Sequence, residues 1–203
     1  TLFRSTFPEL ASQKAHVLPN GWEPEDFSAP FGGSDREVPE ADRPIRLAHI
    51  GTLAGHAPPD GLLESLKQLV MDEPEWARRL KIQFIGRRSP AANRALRSFE
   101  FPEIVEVVDH VGKREASIRM QNSDVLLLIS SPDLERYLPG KLFDYIAAHR
   151  PVLVFGSRGE ASALIERLGT GVFCPAGSAA ALREAVVRPP SVRTGSNPWM
   201  PTR

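Results

Sequence analysis

Short apolar segments alternate with longer amphipathic segments over most of the chain. Several of the short segments are apolar on both faces, which is expected for parallel strands that are buried inside a sheet. The strands predicted from this pattern cover residues 46–51, 81–86, 105–111, 124–130, 151–156 and 171–175. Each is far shorter than the ~20 residues that a membrane-spanning helix requires.

The amphipathic segments between the strands predict helices. In residues 59–71, for example, Leu62, Leu66 and Leu69 recur at helical spacing. The other predicted helices cover residues 90–98, 114–122, 140–148, 160–168 and 178–187. This alternation predicts an α/β fold, a Rossmann-like doubly wound parallel sheet of about six strands with helices on both faces. Ligands of such sheets bind beyond the carboxyl ends of the strands, where the helices begin.

Prolines are concentrated outside this alternating region. Six fall within residues 1–44 and four within residues 188–203. Because proline opposes regular elements, we expect a lead-in and linker at residues 1–44, a compact domain at 45–187 and a flexible tail at 188–203. The chain begins with Thr1 rather than methionine, so we expect a processed chain or a part of a longer protein.

Charge and cysteine content restrict the class of protein. The chain has 25 basic and 25 acidic residues and a formal net charge of +0, whereas a nucleic-acid module carries a basic excess. We therefore expect no nucleic-acid partner. Cys174 is the only cysteine, which excludes an internal disulfide and favours a cytoplasmic location. The five histidines lack the spacing of metal ligands, so we expect no metal.

Three glycine-containing turns follow predicted strands and should meet at the carboxyl edge of the sheet. They are Gly51-Thr52, Gly86-Arg87 and Val111-Gly112. A glycine at such a place permits a tight turn or the close approach of a phosphate. For each of them an ordinary turn is the alternative, and the side chain of Arg87 could equally be solvated.

The strongest candidate site lies where the helix predicted at residues 140–148 begins. The turn and the first helical residues are Leu138, Pro139, Gly140, Lys141 and Leu142. Helix N-termini present free N–H groups and a partial positive charge, so anions bind there. Lys141 adds a full charge.

Two carboxylates accompany that helix start. Asp144 follows Lys141 by about one helical turn and could accept hydrogen bonds from both hydroxyls of a ribose. Glu135 lies upstream and could do the same for a sugar. The alternative is a capped helix with Lys141 and Asp144 in solvent.

These segments, in this order, resemble the sugar-nucleotide half of GT-B glycosyltransferases of the group-1 (family-4) type. The likeness begins at Val17-Leu18-Pro19-Asn20-Gly21-Trp22-Glu23-Pro24-Glu25-Asp26-Phe27, which is similar to the I-P-N-G-hydrophobic-D-x-x-x-F signature. It is strongest at Leu138-Pro139-Gly140-Lys141-Leu142-Phe143-Asp144-Tyr145-Ile146-Ala147-Ala148. It extends over roughly residues 14–187.

The resemblance implies one half of a GT-B fold that binds a nucleotide-diphosphate sugar of the UDP or GDP type, with no further cofactor. Asp144 matches the second acidic residue of the family's pair, the ribose ligand. Backbone N–H groups from Pro139 to Leu142 would meet the diphosphate. Lys141 would neutralise the leaving group, and Glu135 would bind the sugar. Relatives of this type transfer sugars with retention and without a metal.

The sequence departs from the family pattern in two places. The first acidic residue of the pair would stand at Arg136, and Glu135 is one position earlier. Thr52 stands where many relatives carry an arginine, and residues 54–59 contain no lysine. Neutralisation of the phosphates would then depend more on Lys141 and Arg87.

A GT-B enzyme has a second, N-terminal domain, which supplies most acceptor and catalytic groups. We therefore expect residues 1–44 to lead in from a domain that this chain lacks, and we expect donor binding without turnover. The full-length protein would act on a polysaccharide or glycolipid and touch the inner membrane only through that missing domain. The alternatives are a sugar-nucleotide epimerase of GT-B architecture and a non-catalytic nucleotide-binding or assembly module.

Overall fold

A computed structural model of the chain describes residues 20–27 and 43–190. Six strands form one parallel sheet in the order β3-β2-β1-β4-β5-β6. They are β1 (Ile45–Ile50), β2 (Leu80–Ile85), β3 (Val105–Val108), β4 (Val125–Ser130), β5 (Val152–Gly156) and β6 (Gly171–Pro175). The predicted α/β fold with its six strands is confirmed.

Seven helices and two short 3-10 turns connect and flank the strands in the described residues. The helices are α1 (Asp60–Asp72), α2 (Trp76–Arg79), α3 (Pro90–Arg97), α4 (Lys113–Asn122), α5 (Gly140–Ala147), α6 (Glu160–Leu168) and α7 (Ala179–Val187). The 3-10 turns are Pro24–Phe27 and Pro132–Leu134. Only α2 was not predicted, because a single turn is too short to show a helical period. It buries Trp76 completely.

The two faces of the sheet carry separate hydrophobic cores. Successive side chains of a strand point to opposite faces, so Leu47 belongs to one core and Ala48 to the other. The first core contains side chains from α1, α2, α3 and α7, and the second contains side chains from α4, α5 and α6. Both faces are therefore covered by helices, as predicted for a doubly wound sheet.

Strand β3 is shorter than predicted. It ends at Val108, opposite Ile85 at the end of β2, whereas the prediction extended it to residue 111. Beyond this pair β2 turns at Gly86, whose N–H donates to the Val108 carbonyl at 3.1 Å. Beyond Val108, β3 therefore has no neighbouring strand to pair with, and residues 109–112 form a loop that leads into α4.

The order of the strands reverses between β1 and β4, and the two strands separate there. They pair at two positions only, Leu47 with Val125 and Ala48 with Leu126, whereas β1 and β2 pair along their whole length. The carboxyl ends of β1 and β4 therefore diverge where the strand order reverses. Open α/β sheets bind ligands at such a reversal.

Part of the predicted lead-in packs on the domain. Phe27 packs against the second core, and Arg43 forms an ion pair of 2.8 Å with Asp124. The lead-in predicted for residues 1–44 thus includes a segment that contributes to the folded body. Residues 1–19, 28–42 and 191–203 lie outside the described part of the chain, so the linker and the flexible tail stay predictions.

Candidate functional site

A pocket of about 350 Å³ lies at the carboxyl ends of β1 and β2. Helices α4 and α5, the loop before α4 and the 3-10 turn Pro24–Phe27 form its walls. Its polar and charged lining consists of Asp26, His110, Lys113, Ser117, Lys141 and Asp144. Apolar side chains, among them Ile50, Ile85 and Met120, cover much of the remainder.

Gly51 allows Lys141 to cross the edge of the sheet. It follows β1 with φ of 122°, and a Cβ atom at this position would lie 3.0 Å from Lys141 Nζ and 3.1 Å from Cε. Both its conformation and its neighbour therefore favour glycine. Lys141 projects from the first turn of α5, so its ammonium lies directly above the end of β1.

Lys141 has an unusual electrostatic environment. Burial lowers its pKa to about 8, because a low-dielectric environment disfavours the ammonium form. No carboxylate in residues 20–27 or 43–190 forms an ion pair with it. Its Nζ instead lies 3.4 Å from Nε2 of His49. The positive charge is thus not neutralised within the described structure.

His49 is a buried histidine on β1, only 1% exposed. Its Nδ1 lies 3.1 Å from the Leu127 carbonyl oxygen. A carbonyl can only accept, so Nδ1 carries the hydrogen and Nε2 presents its lone pair towards Lys141. Burial, reinforced by the charge of Lys141, lowers the pKa of His49 to about 3, although the backbone groups of Leu127 and Thr52 next to the ring raise it. The imidazole is therefore neutral at physiological pH.

Tyr145 fills the space between the diverging ends of β1 and β4. Its hydroxyl accepts a hydrogen bond of 2.8 Å from the Ile50 N–H and lies 3.3 Å from the carbonyl oxygens of Ile50 and Leu127. The side chain is fully buried. These contacts satisfy backbone groups that the separating strands no longer pair. They also fix α5 against the end of β1.

The opposite wall contains a second lysine with a different environment. Lys113, at the start of α4, forms ion pairs with Glu23 at 2.8 Å and Asp26 at 2.5 Å. Hydrogen bonds to these two carboxylates raise its pKa. The ion pairs join the 3-10 turn to α4 across the mouth of the pocket.

Asp144 lies between the two walls. Its carboxyl is partly buried and has no hydrogen-bond donor among the residues that the structure describes. Burial raises its pKa, Lys113 lowers it, and the carboxylates of Asp26 and Glu23 raise it further. The carboxylate is thus available to accept hydrogen bonds from a ligand.

The structure brings five of the predicted site residues into this pocket. They are Gly51, Gly86, Val111, Lys141 and Asp144. The other predicted residues of the turns and of the helix start adjoin it in sequence without lining it; these are Thr52, Gly112, Leu138, Pro139 and Gly140.

Leu142 and Arg87 do not take part in the pocket as predicted. The Leu142 side chain is fully buried in the second core, and its N–H donates to the Pro139 carbonyl at 2.9 Å. It therefore offers no free N–H group to a diphosphate. Arg87 is exposed and lines a neighbouring groove with Asn93 and Arg97, which shares Gly86 and His110 with the pocket.

Glu135 lies outside the pocket. Its carboxylate is exposed, and its backbone carbonyl accepts a hydrogen bond of 2.7 Å from the N–H of Glu160. A Cβ atom on Gly159 would lie 2.3 Å from that carbonyl oxygen. The close approach anchors residue 135 to the start of α6 by its backbone and leaves the side chain free.

Sequence reasoning missed Asp26, Lys113, His49 and Tyr145 as parts of the site. Asp26 lies within the N-terminal motif and Tyr145 within the helix motif, but the motifs predict no role for either. A histidine between the apolar residues Ala48 and Ile50 of a predicted strand was the only sequence signal for His49.

Residues 44–189 match the profile of a family described as "Glycosyl transferases group 1". The chain belongs to this family. The family match confirms the resemblance to group 1 glycosyltransferases that the sequence motifs indicated. No curated protein matches its sequence closely enough to be counted as a relative.

Solved structures of glycosyltransferases share the fold of this group 1 chain. WaaG, "a glycosyltransferase involved in lipopolysaccharide biosynthesis", superimposes with a TM-score of 0.62 at 19% identity, over 85% of this chain and 46% of WaaG. Anabaena Alr3699/HepE in complex with UDP gives 0.62 at 13% identity, over 90% and 50%. S. aureus TarM, in a complex that contains UDP, gives 0.59 at 10% identity, over 93% and 35%.

These identities show a common fold and nothing finer. The group 1 chain spans half or less of the length of each of the three proteins. In the part of the chain that the structure describes, no helix is long and apolar enough to cross a membrane. The same residues contain no group of three or more His, Cys, Asp or Glu side chains that could hold a metal ion.

Proposed function

We propose that this chain binds a nucleotide-diphosphate sugar and is the donor-binding half of a retaining glycosyltransferase with a polysaccharide or glycolipid acceptor. One observation carries the proposal: Lys141, with no carboxylate partner in the described structure, and Asp144, with no hydrogen-bond donor there, face the same pocket at the carboxyl edge of the sheet. A cation and a free carboxylate so placed are complementary to a diphosphate joined to a ribose.

The diphosphate is assigned to Lys141 and the N-terminus of α5. In glycosyl transfer the bond between the anomeric carbon and a phosphate oxygen breaks, so negative charge develops on the diphosphate. An ammonium held in a partly dry site stabilises that charge more than it would in water. Lys141 meets both conditions, because it is partly buried and has no carboxylate partner within the described residues.

The ribose is assigned to Asp144, between the two walls, and the base to the side formed by the loop before α4 and by Met120. Asp144 lies one turn along α5 from Lys141, which matches the separation between a diphosphate and its ribose. Val111 and the apolar side chain of Met120 offer a surface for a flat base. We leave the base open between uracil and guanine.

Turnover is assigned to the full-length enzyme. This chain spans half or less of the glycosyltransferases that share its fold, and Glu135 lies outside the donor pocket. We therefore propose that a second domain supplies the acceptor site and that the chain alone binds donor without transferring sugar.

Calorimetric titration of the chain with UDP, GDP, UDP-glucose and GDP-mannose tests the proposal. We expect saturable one-site binding by one base type. Lys141→Ala should weaken it by roughly 10- to 100-fold, because a hydrogen bond to a charged group contributes about 1.5–3 kcal/mol. Lys67→Ala, which removes an exposed lysine paired with Glu100 on the outside of α1, is the matched control. No binding by any nucleotide would overturn the proposal.

A double-mutant cycle tests the role of Asp144. Asp144→Asn should weaken UDP binding by roughly tenfold but should change the affinity for 2′-deoxy-UDP much less, because that ligand lacks one of the hydroxyls. Asp72→Asn, at the exposed end of α1, controls for the loss of a charge. Equal losses for both ligands would remove the ribose assignment. Nucleotide binding that persists while the full-length protein transfers no sugar would favour the non-catalytic module instead.

A further inference from the structure

We infer that His49 is a positioning residue, whose neutral imidazole holds the ammonium of Lys141 at the place where the donor diphosphate binds. The inference rests on the proposed function for its consequence, but the contact itself does not depend on it. It extends the site inwards from the pocket lining to a strand residue that no ligand can touch.

The contact follows from a chain of three groups. The Leu127 carbonyl on β4 lies 3.1 Å from His49 Nδ1, and this fixes the hydrogen on Nδ1. His49 Nε2 then has only its lone pair, and it lies 3.4 Å from Lys141 Nζ. Gly51 leaves open the space through which the lysine side chain reaches this position.

A purely structural histidine would need only the first of these contacts. Its Nδ1–H would satisfy the Leu127 carbonyl, and any apolar neighbour could cover Nε2. Here Nε2 faces a cation on another element instead, 92 residues away in sequence. Because a buried lone pair next to an ammonium is a strong acceptor, the imidazole reduces the range of positions open to the lysine.

Tyr145, Asp144, Lys113 and Asp26 leave this arrangement intact. Tyr145 donates its hydroxyl hydrogen to carbonyl oxygens and keeps it, since burial raises its pKa. Asp144 is on the same helix as Lys141 but forms no ion pair with it. Lys113 and Asp26 lie on the opposite wall and pair with each other. Among the described residues, His49 Nε2 is therefore the side-chain partner of the Lys141 ammonium, and the Thr52 backbone lies next to the same ring.

Two substitutions separate positioning from simple structure. In His49→Asn the amide N–H₂ can take the place of Nδ1 and still donate to Leu127, but nothing replaces Nε2. In His49→Gln the longer side chain can place an amide oxygen where Nε2 was. We expect His49→Asn to weaken UDP binding by about fivefold, as one lost hydrogen bond would, and His49→Gln to stay within about twofold of the parent. Equal losses in the two variants would overturn the inference.

The same variants are then combined with Lys141→Ala. If His49 acts through Lys141, His49→Asn should have no further effect on UDP binding when Lys141 is already absent. Additive losses would mean that His49 affects the pocket by another route, and the inference would be wrong.

A measurement on the unliganded chain keeps this test separate from the proposed function. Nitrogen NMR of the His49 ring should show the hydrogen on Nδ1 and an unprotonated Nε2 at pH 7, and Lys141→Met should shift the Nε2 resonance. A hydrogen found on Nε2 would overturn the inference whether or not the protein binds a nucleotide. If the parent binds no nucleotide but these resonances behave as expected, the contact stands and the proposed function fails.

Discussion

Two lysines line the same pocket in opposite environments. Lys113 has a side chain that is 58% exposed, and it pairs with Glu23 and Asp26. Lys141 is partly buried and faces a neutral imidazole instead of a carboxylate. The pKa of Lys113 is raised by its partners, whereas that of Lys141 is lowered to about 8 by burial. The same side chain thus carries a neutralised charge on one wall and an unneutralised one on the other.

The difference indicates which wall receives an anion. A ligand phosphate near Lys113 must compete with two carboxylates that are already in place. A phosphate near Lys141 meets no competitor and relieves the cost of keeping a charge in a poorly hydrated site. The pocket is therefore polarised, with its anion-binding side at β1 and α5 and its internally paired side at α4.

The largest expected effect contrasts the two lysines directly. Lys141→Ala should weaken UDP binding by roughly 10- to 100-fold and Lys113→Ala by less than about threefold, because only the first removes an unneutralised charge. Isothermal titration of both variants at constant salt measures the ratio. Comparable losses would show that both walls bind the phosphates, and the assignment of the anion-binding side to β1 and α5 would be wrong.

The second expected effect concerns how much the contact between Tyr145 on α5 and Ile50 on β1 stabilises the fold. Tyr145→Phe leaves the Ile50 N–H buried without its acceptor, which should reduce the free energy of unfolding by about 2 kcal/mol. Tyr137→Phe, at a side chain that is 54% exposed, should change it little. Urea denaturation of the two variants measures the difference. Equal midpoints would mean that the Ile50 N–H finds another partner and that the Tyr145 hydroxyl does not stabilise the end of β1.

The sequence predicted Lys141 as a site residue, but it could not predict the contacts around Lys141, because these form only on folding. A helix N-terminus with a lysine in its first turn is a local pattern, so Lys141 and Asp144 were predicted from adjacent residues. The partners of Lys113 are close only after folding, since Glu23 lies 90 positions away. His49 could not be separated from a core histidine, because its role depends on where Lys141 crosses the sheet.

The six strands were predictable because buried parallel strands are continuous apolar runs. The end of β3 was not, since it depends on where its neighbour β2 turns at Gly86. Glu135 shows the same limit within the candidate site. Its position in the motif suggested a sugar ligand, whereas the structure packs its backbone against Gly159 and leaves its exposed side chain outside the pocket.

The third expected effect is a pH dependence that belongs to the buried lysine alone. With a pKa of about 8 in the free protein, Lys141 loses its charge as the pH rises. UDP then binds only if the Lys141 amine takes up a proton again. The affinity of the parent should fall by about tenfold between pH 7 and pH 9, by linkage. Lys141→Ala should show a flat profile over this range, and so should Lys141→Arg, which stays charged. A flat profile in the parent would contradict the lowered pKa.

The smallest expected effect comes from removing a carboxylate partner of Lys113, which makes its charge less neutralised and so more like that of Lys141. Asp26→Asn removes the less exposed of the two carboxylates that hold Lys113 and leaves that lysine partly unpaired. UDP binding should tighten by about twofold and become more sensitive to salt, because an exposed charge is screened more than a buried one. Glu23→Gln, at a side chain that is 71% exposed, should produce less of both changes. Titrations in 50 mM and 300 mM NaCl, ionic strengths of about 0.05 and 0.3 M, compare the variants. A loss of binding in Asp26→Asn would instead show that the ion pairs shape the pocket, so that the paired wall contributes by geometry and the unpaired wall by charge.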